Sequence, residues 1–405
     1  MISGNDMESS SVMMIGRKGS WLAGAAGALI AAHAPAQIAV SVNDGKQPRA
    51  GESDFRARPD NLAVIDMRRY PPRVTGTVDV PGSMIGPPTS VAMARDGSFA
   101  IVTSAQKADP ADPAKFVLDN KVSLIDLTDP TAPKLVQTVE AGDGASGVAI
   151  NRAGTMALVA ATGDGTISVF SIAARRLTLI DTLQLDKAPG PVDIALSPDG
   201  KTAVVTQRRG NAIWRLAIDG TKVTDTGVTF PTGVNPYGSV FSRDGRYAYS
   251  TNLQGRIPAE GAPPPRGGRI GTVTAIDLRT NRIAATVEVG PLPEHVALSA
   301  DGRYLAVVVV NGSAASPTSP AYSPFGLLKV YRVNGATLTS VAEAQTGQWA
   351  QGATWSDDGR TLLLQSAASR QIEVYRFDGK ALVRDPAATL TFDTRPAAIT
   401  TALSR

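Results

Sequence analysis

Six stretches of this chain repeat one pattern, and their spacing limits the fold more than any other feature. They read PTSVAMARDGSFAIVTS from Pro88, ASGVAINRAGTMALVAA from Ala145, PVDIALSPDGKTAVVTQ from Pro191, PYGSVFSRDGRYAYSTN from Pro236, PEHVALSADGRYLAVVV from Pro293 and AQGATWSDDGRTLLLQS from Ala350. The turn glycines are Gly97, Gly154, Gly200, Gly245, Gly302 and Gly359, at spacings of 57, 46, 45, 57 and 57 residues. Each unit predicts a strand, a tight Asp-Gly or Ala-Gly turn and a returning strand, because glycine accepts the positive φ such a turn demands. A third strand follows, as in KVSLID from Lys121 or TVTAID from Thr272, and a fourth, as in ATVEVG from Ala285. Four short strands repeating at this period build one blade of a β-propeller.

The chain ends supply a seventh unit. RPAAITTALS from Arg395 matches only a first strand, while IAVSVN from Ile38, NLAVID from Asn61 and VTGTVDVPG from Val74 match only the second, third and fourth. Joining them closes a ring and removes the free sheet edges. An open array or a pair of sandwiches would give no reason for the two fragments to be complementary. The expectation is an all-β, seven-bladed propeller spanning residues 37–405 as one domain, where 405 residues would otherwise suggest two or three.

Residues 1–36 predict something different. Arg17 and Lys18 precede the apolar run WLAGAAGALIAA from Trp21, and small residues flank Pro35 at Ala34 and Ala36. Charged, apolar and small-residue regions in that order define a secretory signal peptide, and the run is short of the ~20 residues needed to span a bilayer. The protein is therefore expected to be periplasmic or secreted, with no transmembrane segment in the mature chain. The absence of cysteine excludes disulfides, thiolate metal sites and cysteine nucleophiles. Forty Lys and Arg against 36 Asp and Glu leave a net +4 with no basic run, which disfavours nucleic acid as a partner.

The Ser-x-Asp-Gly turns and the YSTN at Tyr249 to Asn252 resemble the YVTN family of bacterial propeller repeats, related to lactonase-like seven-bladed propellers. NKVSLIDLTDPTAPKLVQTVEAG, from Asn120, and the stretch from Asn61 also resemble LVIVD-type repeats. The resemblance covers nearly all of residues 38–405. Its motifs are structural, so it implies the fold and leaves the activity open.

A site is sought where the blades differ. Asp96, Asp199, Asp244, Asp301 and Asp358 fall in the repeated turns and read as turn residues, since Asp bonds its own backbone there. Long loops begin at Asp44, Ala105, Leu253 and Asn311, on the face opposite those turns, and predict two walls with a cleft between. At the mouths of the inner strands the blades carry Ser90, Gly147, Asp193, Gly238, His295, Gly352 and Ala398. One position earlier they carry Thr89, Ser146, Val192, Tyr237, Glu294, Gln351 and Ala397.

Small residues at most of these places leave room around the large polar ones, so Asp193, Glu294 and His295, with Tyr237, Trp349 and Arg395, are the candidate binding residues. A carboxylate beside an imidazole can exchange a proton with a substrate; the alternative is that Glu294 and His295 merely cap a strand. Arg208, Arg209, Arg256, Arg266 and Arg269 make the loops of blades three and four basic. No cofactor motif is present and no catalytic set is assigned. A lone histidine in the mature chain rules out a usual zinc set, leaving calcium on Asp193 and Glu294 as the one metal to consider. These residues predict a monomeric module that binds a protein or small-molecule ligand through its loop-rich face; the alternative is a lactonase-like hydrolase.

Overall fold

In the computed structural model, residues 37–47, 56–84, 86–112, 115–185, 190–254 and 270–402 are described. The expected signal peptide, and parts of the loops from Asp44, Ala105 and Leu253, lie outside them, as do Arg256, Arg266 and Arg269. The described chain forms seven four-stranded antiparallel sheets. Six run in chain order. The seventh places the C-terminal strand Arg395–Thr401 against Ile38–Asp44, followed by Asn61–Asp66 and Arg73–Asp79. The fold is thus a seven-bladed β-propeller whose last blade is shared by both ends of the chain.

Burial follows position in the blade. Second strands such as Met156–Ala161 (MALVAA) are buried at every residue, because a neighbouring blade covers each face. Outer strands such as Lys134–Glu140 alternate between exposed and half-buried residues. Buried apolar side chains gather between successive blades: Ile101, Val122, Val148 and Phe170 join blades one and two, and Val204, Ile213, Phe241 and Ile276 join three and four. A blade therefore buries its two faces only by standing between two others.

The repeated turn is held the same way in four blades. Ser197 Oγ donates to Asp199 Oδ1 at 2.6 Å, the same oxygen accepts Lys201 N at 3.0 Å, and Ser197 Oγ accepts Thr202 N at 3.0 Å. Ser242 with Asp244, Ser299 with Asp301 and Ser356 with Asp358 repeat it. The glycines that follow have φ of +66° to +73°, the region that glycine alone enters at no cost.

Ring closure rests on buried charge as well as pairing. Arg395 donates to Asp44 Oδ2 at 2.6 Å, and the two residues are 6% and 2% exposed. Removing one partner of such a pair leaves the other buried and uncompensated, at a cost of about 3–5 kcal/mol. Arg395→Met is expected to lower unfolding free energy by about that amount in urea titration, and the double change with Asp44→Asn to recover most of it.

Candidate functional site

The inner strand of each blade has one edge facing the central channel, where its N–H groups have no strand to bond. Three blades solve this in one way. Gly147, Gly238 and Gly352 stand in blades two, four and six, and added side chains there would collide with Asp193, with the Glu294–His295 backbone and with Ile399 of the next blade. The large polar residues of the odd blades reach forward in turn. Asp193 Oδ2 accepts Ser239 N and Ser239 Oγ, both at 2.7 Å, and His295 Nδ1 accepts Ala353 N at 3.2 Å. Ser239 and Ala353 each follow one of those glycines, so the side chains of blades three and five cap the same backbone N–H in blades four and six.

Hydroxyls and an amide of the second strands complete the stitching. Thr206 Oγ1 donates to Tyr237 O at 2.9 Å, Gln365 Nε2 to Ala398 O at 2.9 Å, and Thr103 Oγ1 to Ser146 O. Val308 stands at this register in blade five and has no donor, so His295 supplies that blade's link to the next.

Burial sets the charge states. His295 is 8% exposed, and its imidazole pKa is depressed to about 4 by loss of solvent, so the ring is neutral. With Nδ1 accepting, its proton sits on Nε2. Asp193 is pushed up to about 6, chiefly by burial, against the pull of its Ser239 bonds. Glu294 rises to about 8 by burial, which the Arg208 cation opposes; its Oε2 is buried without a hydrogen-bond partner among the described residues. The Arg208 guanidinium stands 5.3 Å from the centre of the Tyr237 ring, and burial raises the Tyr237 hydroxyl further from ionisation.

The six candidate residues therefore fall into three places. Asp193 and His295 lie in the channel wall. Tyr237 and Glu294, one position nearer the loop face, lie with Arg208 and form part of the ring above it. Trp349 and Arg395 stand elsewhere on the loop side, where the Arg395 guanidinium lies 4.8 Å from the Trp349 ring centre in a pocket of about 150 Å³ shared with Tyr322 and Gln348. The blade-five loop forms one side of that pocket: Gln348 Nε2 donates to Tyr322 Oη at 2.9 Å, and Trp349 N to Ser313 Oγ at 3.0 Å.

Trp349 itself has a φ of +55°. The residue three places before the channel-wall position is left-handed in blades two to six, as Gly144, Gly190, Asn235, Leu292 and Trp349. A bulky side chain there costs roughly 1–2 kcal/mol over glycine.

Asp193 commits one oxygen to Ser239, and no group of three His, Cys, Asp or Glu that could hold a metal ion occurs among the described residues. Aligning blades for the residue pair at the channel mouth finds Asp193 and His295, but it misses a cavity of about 430 Å³ below them. That cavity runs along the inner strands to the face with the Asp-Gly turns, away from the long loops.

Comparison with solved structures finds the same propeller fold in other proteins. The fold matches a periplasmic gluconolactonase of Pseudomonas aeruginosa with a TM-score of 0.64 and 15% identity, over 90% of this chain and 98% of that one. A 6-phosphogluconolactonase candidate from Bacteroides fragilis matches with a TM-score of 0.65 and 16% identity, over 91% and 98%. A functionally unknown protein of Desulfotomaculum acetoxidans matches with a TM-score of 0.64 and 16% identity, over 90% and 98%. In sequence, Antigen Lp49 of Leptospira interrogans is 27% identical over 215 residues, 50% of this chain and 42% of that protein, so the match spans less than half of the relative's length. No family model matches the chain.

Two outcomes check these assignments. Between pH 6.5 and 8, folded Glu294 keeps a proton that the unfolded chain, with a carboxyl near 4.5, has lost, so stability falls as pH rises, by roughly 1–2 kcal/mol over that window. Folded Asp193, near 6, and unfolded His295, near 6.5, finish titrating at the lower edge of this window and act in opposite directions, each by only a few tenths of a kcal/mol, so Glu294→Gln should still flatten the fall in melting temperature. His295→Ala should cost about 1–3 kcal/mol in urea unfolding by orphaning Ala353 N–H, and His295→Asn, which keeps an acceptor, should cost less.

Proposed function

We propose that this protein is a periplasmic or secreted binding module that engages its ligand through the loop-rich face, with the Trp349 pocket as anchor. The observation carrying this reading is the left-handed backbone of Trp349. Glycine fills the same place in blades two and three without strain, and the left-handed Leu292 of blade five packs against Val192, Tyr237 and Leu253, whereas Trp349 lines an open pocket, so its strain is best explained by what its side chain does there. The ring is half-buried, lies over a buried arginine and is bordered by Tyr322 and a long loop, the aromatic and arginine composition typical of interface anchors. A pocket of about 150 Å³ suits one ring or side chain of a larger partner rather than a whole small molecule. The N-terminal charged and apolar pattern supports export, and the repeat motifs support descent from YVTN-type propellers.

The hydrolase alternative has one observation in its favour, the protonated Glu294 beside Arg208 near the loop face. His295 is a poor base for such a reaction, because Nδ1 is taken by Ala353 N and burial keeps the ring neutral and weakly basic.

Affinity capture on wild-type and Trp349→Gly columns, with a lactone panel assayed in parallel, separates the two readings. The expected result is a partner retained by the wild type and lost from Trp349→Gly, whose melting temperature should stay level or rise as the backbone relaxes. Lactone turnover abolished by Glu294→Gln would establish the hydrolase instead.

A further inference from the structure

The channel cavity is distinct from the loop-face pocket, and three features of it point to one kind of ligand. Apolar residues such as Val91, Ile150, Leu196, Val240 and Leu298 line it alongside polar ones that include Asp193, Ser239 and Thr354, and its volume of about 430 Å³ lies within the range of small-molecule sites. At its inner end His295, 92% buried, turns an N–H to the space: Nδ1 is occupied by Ala353 N, and Nε2–H has no acceptor among the described residues. His295 lines the cavity, so a ligand acceptor there can take the place of solvent on this N–H.

The outer end is cationic. Five residues after the ring that carries Asp193 and His295 come Arg95, Arg152, Pro198, Arg243, Ala300 and Asp357 in blades one to six. Arg243 bonds Ala300 O, and Asp357 has a partner of its own. Arg95 and Arg152, in adjacent blades, make no ion pair or hydrogen bond among the described residues; Arg152 lines the cavity, and both line an adjoining pocket of about 230 Å³ that shares Met93, Ile150, Leu196 and Pro198 with it. The turn carboxylates on this face make no ion pair with Arg95 or Arg152: Asp96, Asp199, Asp244, Asp301 and Asp358 each accept bonds within their own turns. Five residues of strand separate donor from rim by about 16 Å.

We propose that the channel binds an elongated amphipathic anion, entering from the turn face, whose acidic group pairs with Arg95 and Arg152 and whose far end offers an oxygen to His295 Nε2–H. An ω-hydroxy carboxylate has this shape; a plain fatty acid has the anion and the apolar body without the inner oxygen.

Titration calorimetry of the full chain with 12-hydroxydodecanoate and with dodecanoate tests this. The expected result is one site per chain, with the hydroxy acid bound about tenfold more tightly. The exposed double change Arg95→Glu and Arg152→Glu should weaken both at least tenfold and remove the salt dependence. His295→Phe should bring the hydroxy acid to the affinity of dodecanoate while leaving dodecanoate unchanged. Equal affinity of the wild type for the two probes, undiminished binding by the double variant, or no binding of either at millimolar concentration would each overturn the proposal. The double variant decides the matter even if His295→Phe fails to fold.

Discussion

Every blade depends on contact with two neighbours, so ring closure is the interaction on which the rest stands. A second strand such as MALVAA has no solvent-facing side, and an isolated sheet bearing it would expose apolar residues on both faces. Pairing Arg395–Thr401 with Ile38–Asp44 gives the last blade its inner strand and ties together the two ends of the described ring. The buried Arg395–Asp44 pair adds little net attraction once desolvation is counted, but it fixes which strand lies there, because a mispaired end would leave one charge buried alone.

Closure creates a second constraint at the centre. Seven inner strands each present an unpaired edge to a narrow channel, and buried N–H groups need acceptors. Asp193 and His295 meet that need across glycine-bearing neighbours, which is why a carboxylate and an imidazole are equivalent there: each supplies a lone pair at the same place. The imidazole has a second nitrogen, so a residue kept for structure still presents a donor to the channel. A polar residue at the channel mouth is therefore no sign of catalysis.

The fold was legible in the sequence because its signals repeat. Ser-x-Asp-Gly recurs with one hydrogen-bond pattern, and the unmatched strands at the chain ends had only each other to complete. The site was legible in part. Alignment of blades brought out His295, Asp193 and Glu294 as unusual, yet their division between a channel wall and the ring above depends on which neighbour's backbone each side chain reaches, and a repeat alignment carries no distances between blades. Trp349 stood out as an aromatic, whereas its strain was hidden in a comparison that the same alignment permits: Gly144, Gly190 and Asn235 at its position mark a left-handed residue. Arg95 and Arg152 were readable five places after the mouth residues, on a face taken as purely structural because its turns are uniform.

The separation of the two faces has a physical cause. Tyr237 and Gln351 are 8% and 2% exposed, and with Glu294 they form part of the ring just above Asp193 and His295. Aromatic bulk and a largely protonated carboxyl narrow the channel there without adding a second ionised carboxylate to that of Asp193 below, and Arg208 remains nearby to stabilise Glu294 when it ionises. A continuous polar channel would let solvent reach His295 from the loop side and erase the depression of its pKa. Burial among these residues keeps the His295 imidazole neutral at the inner end of the cavity.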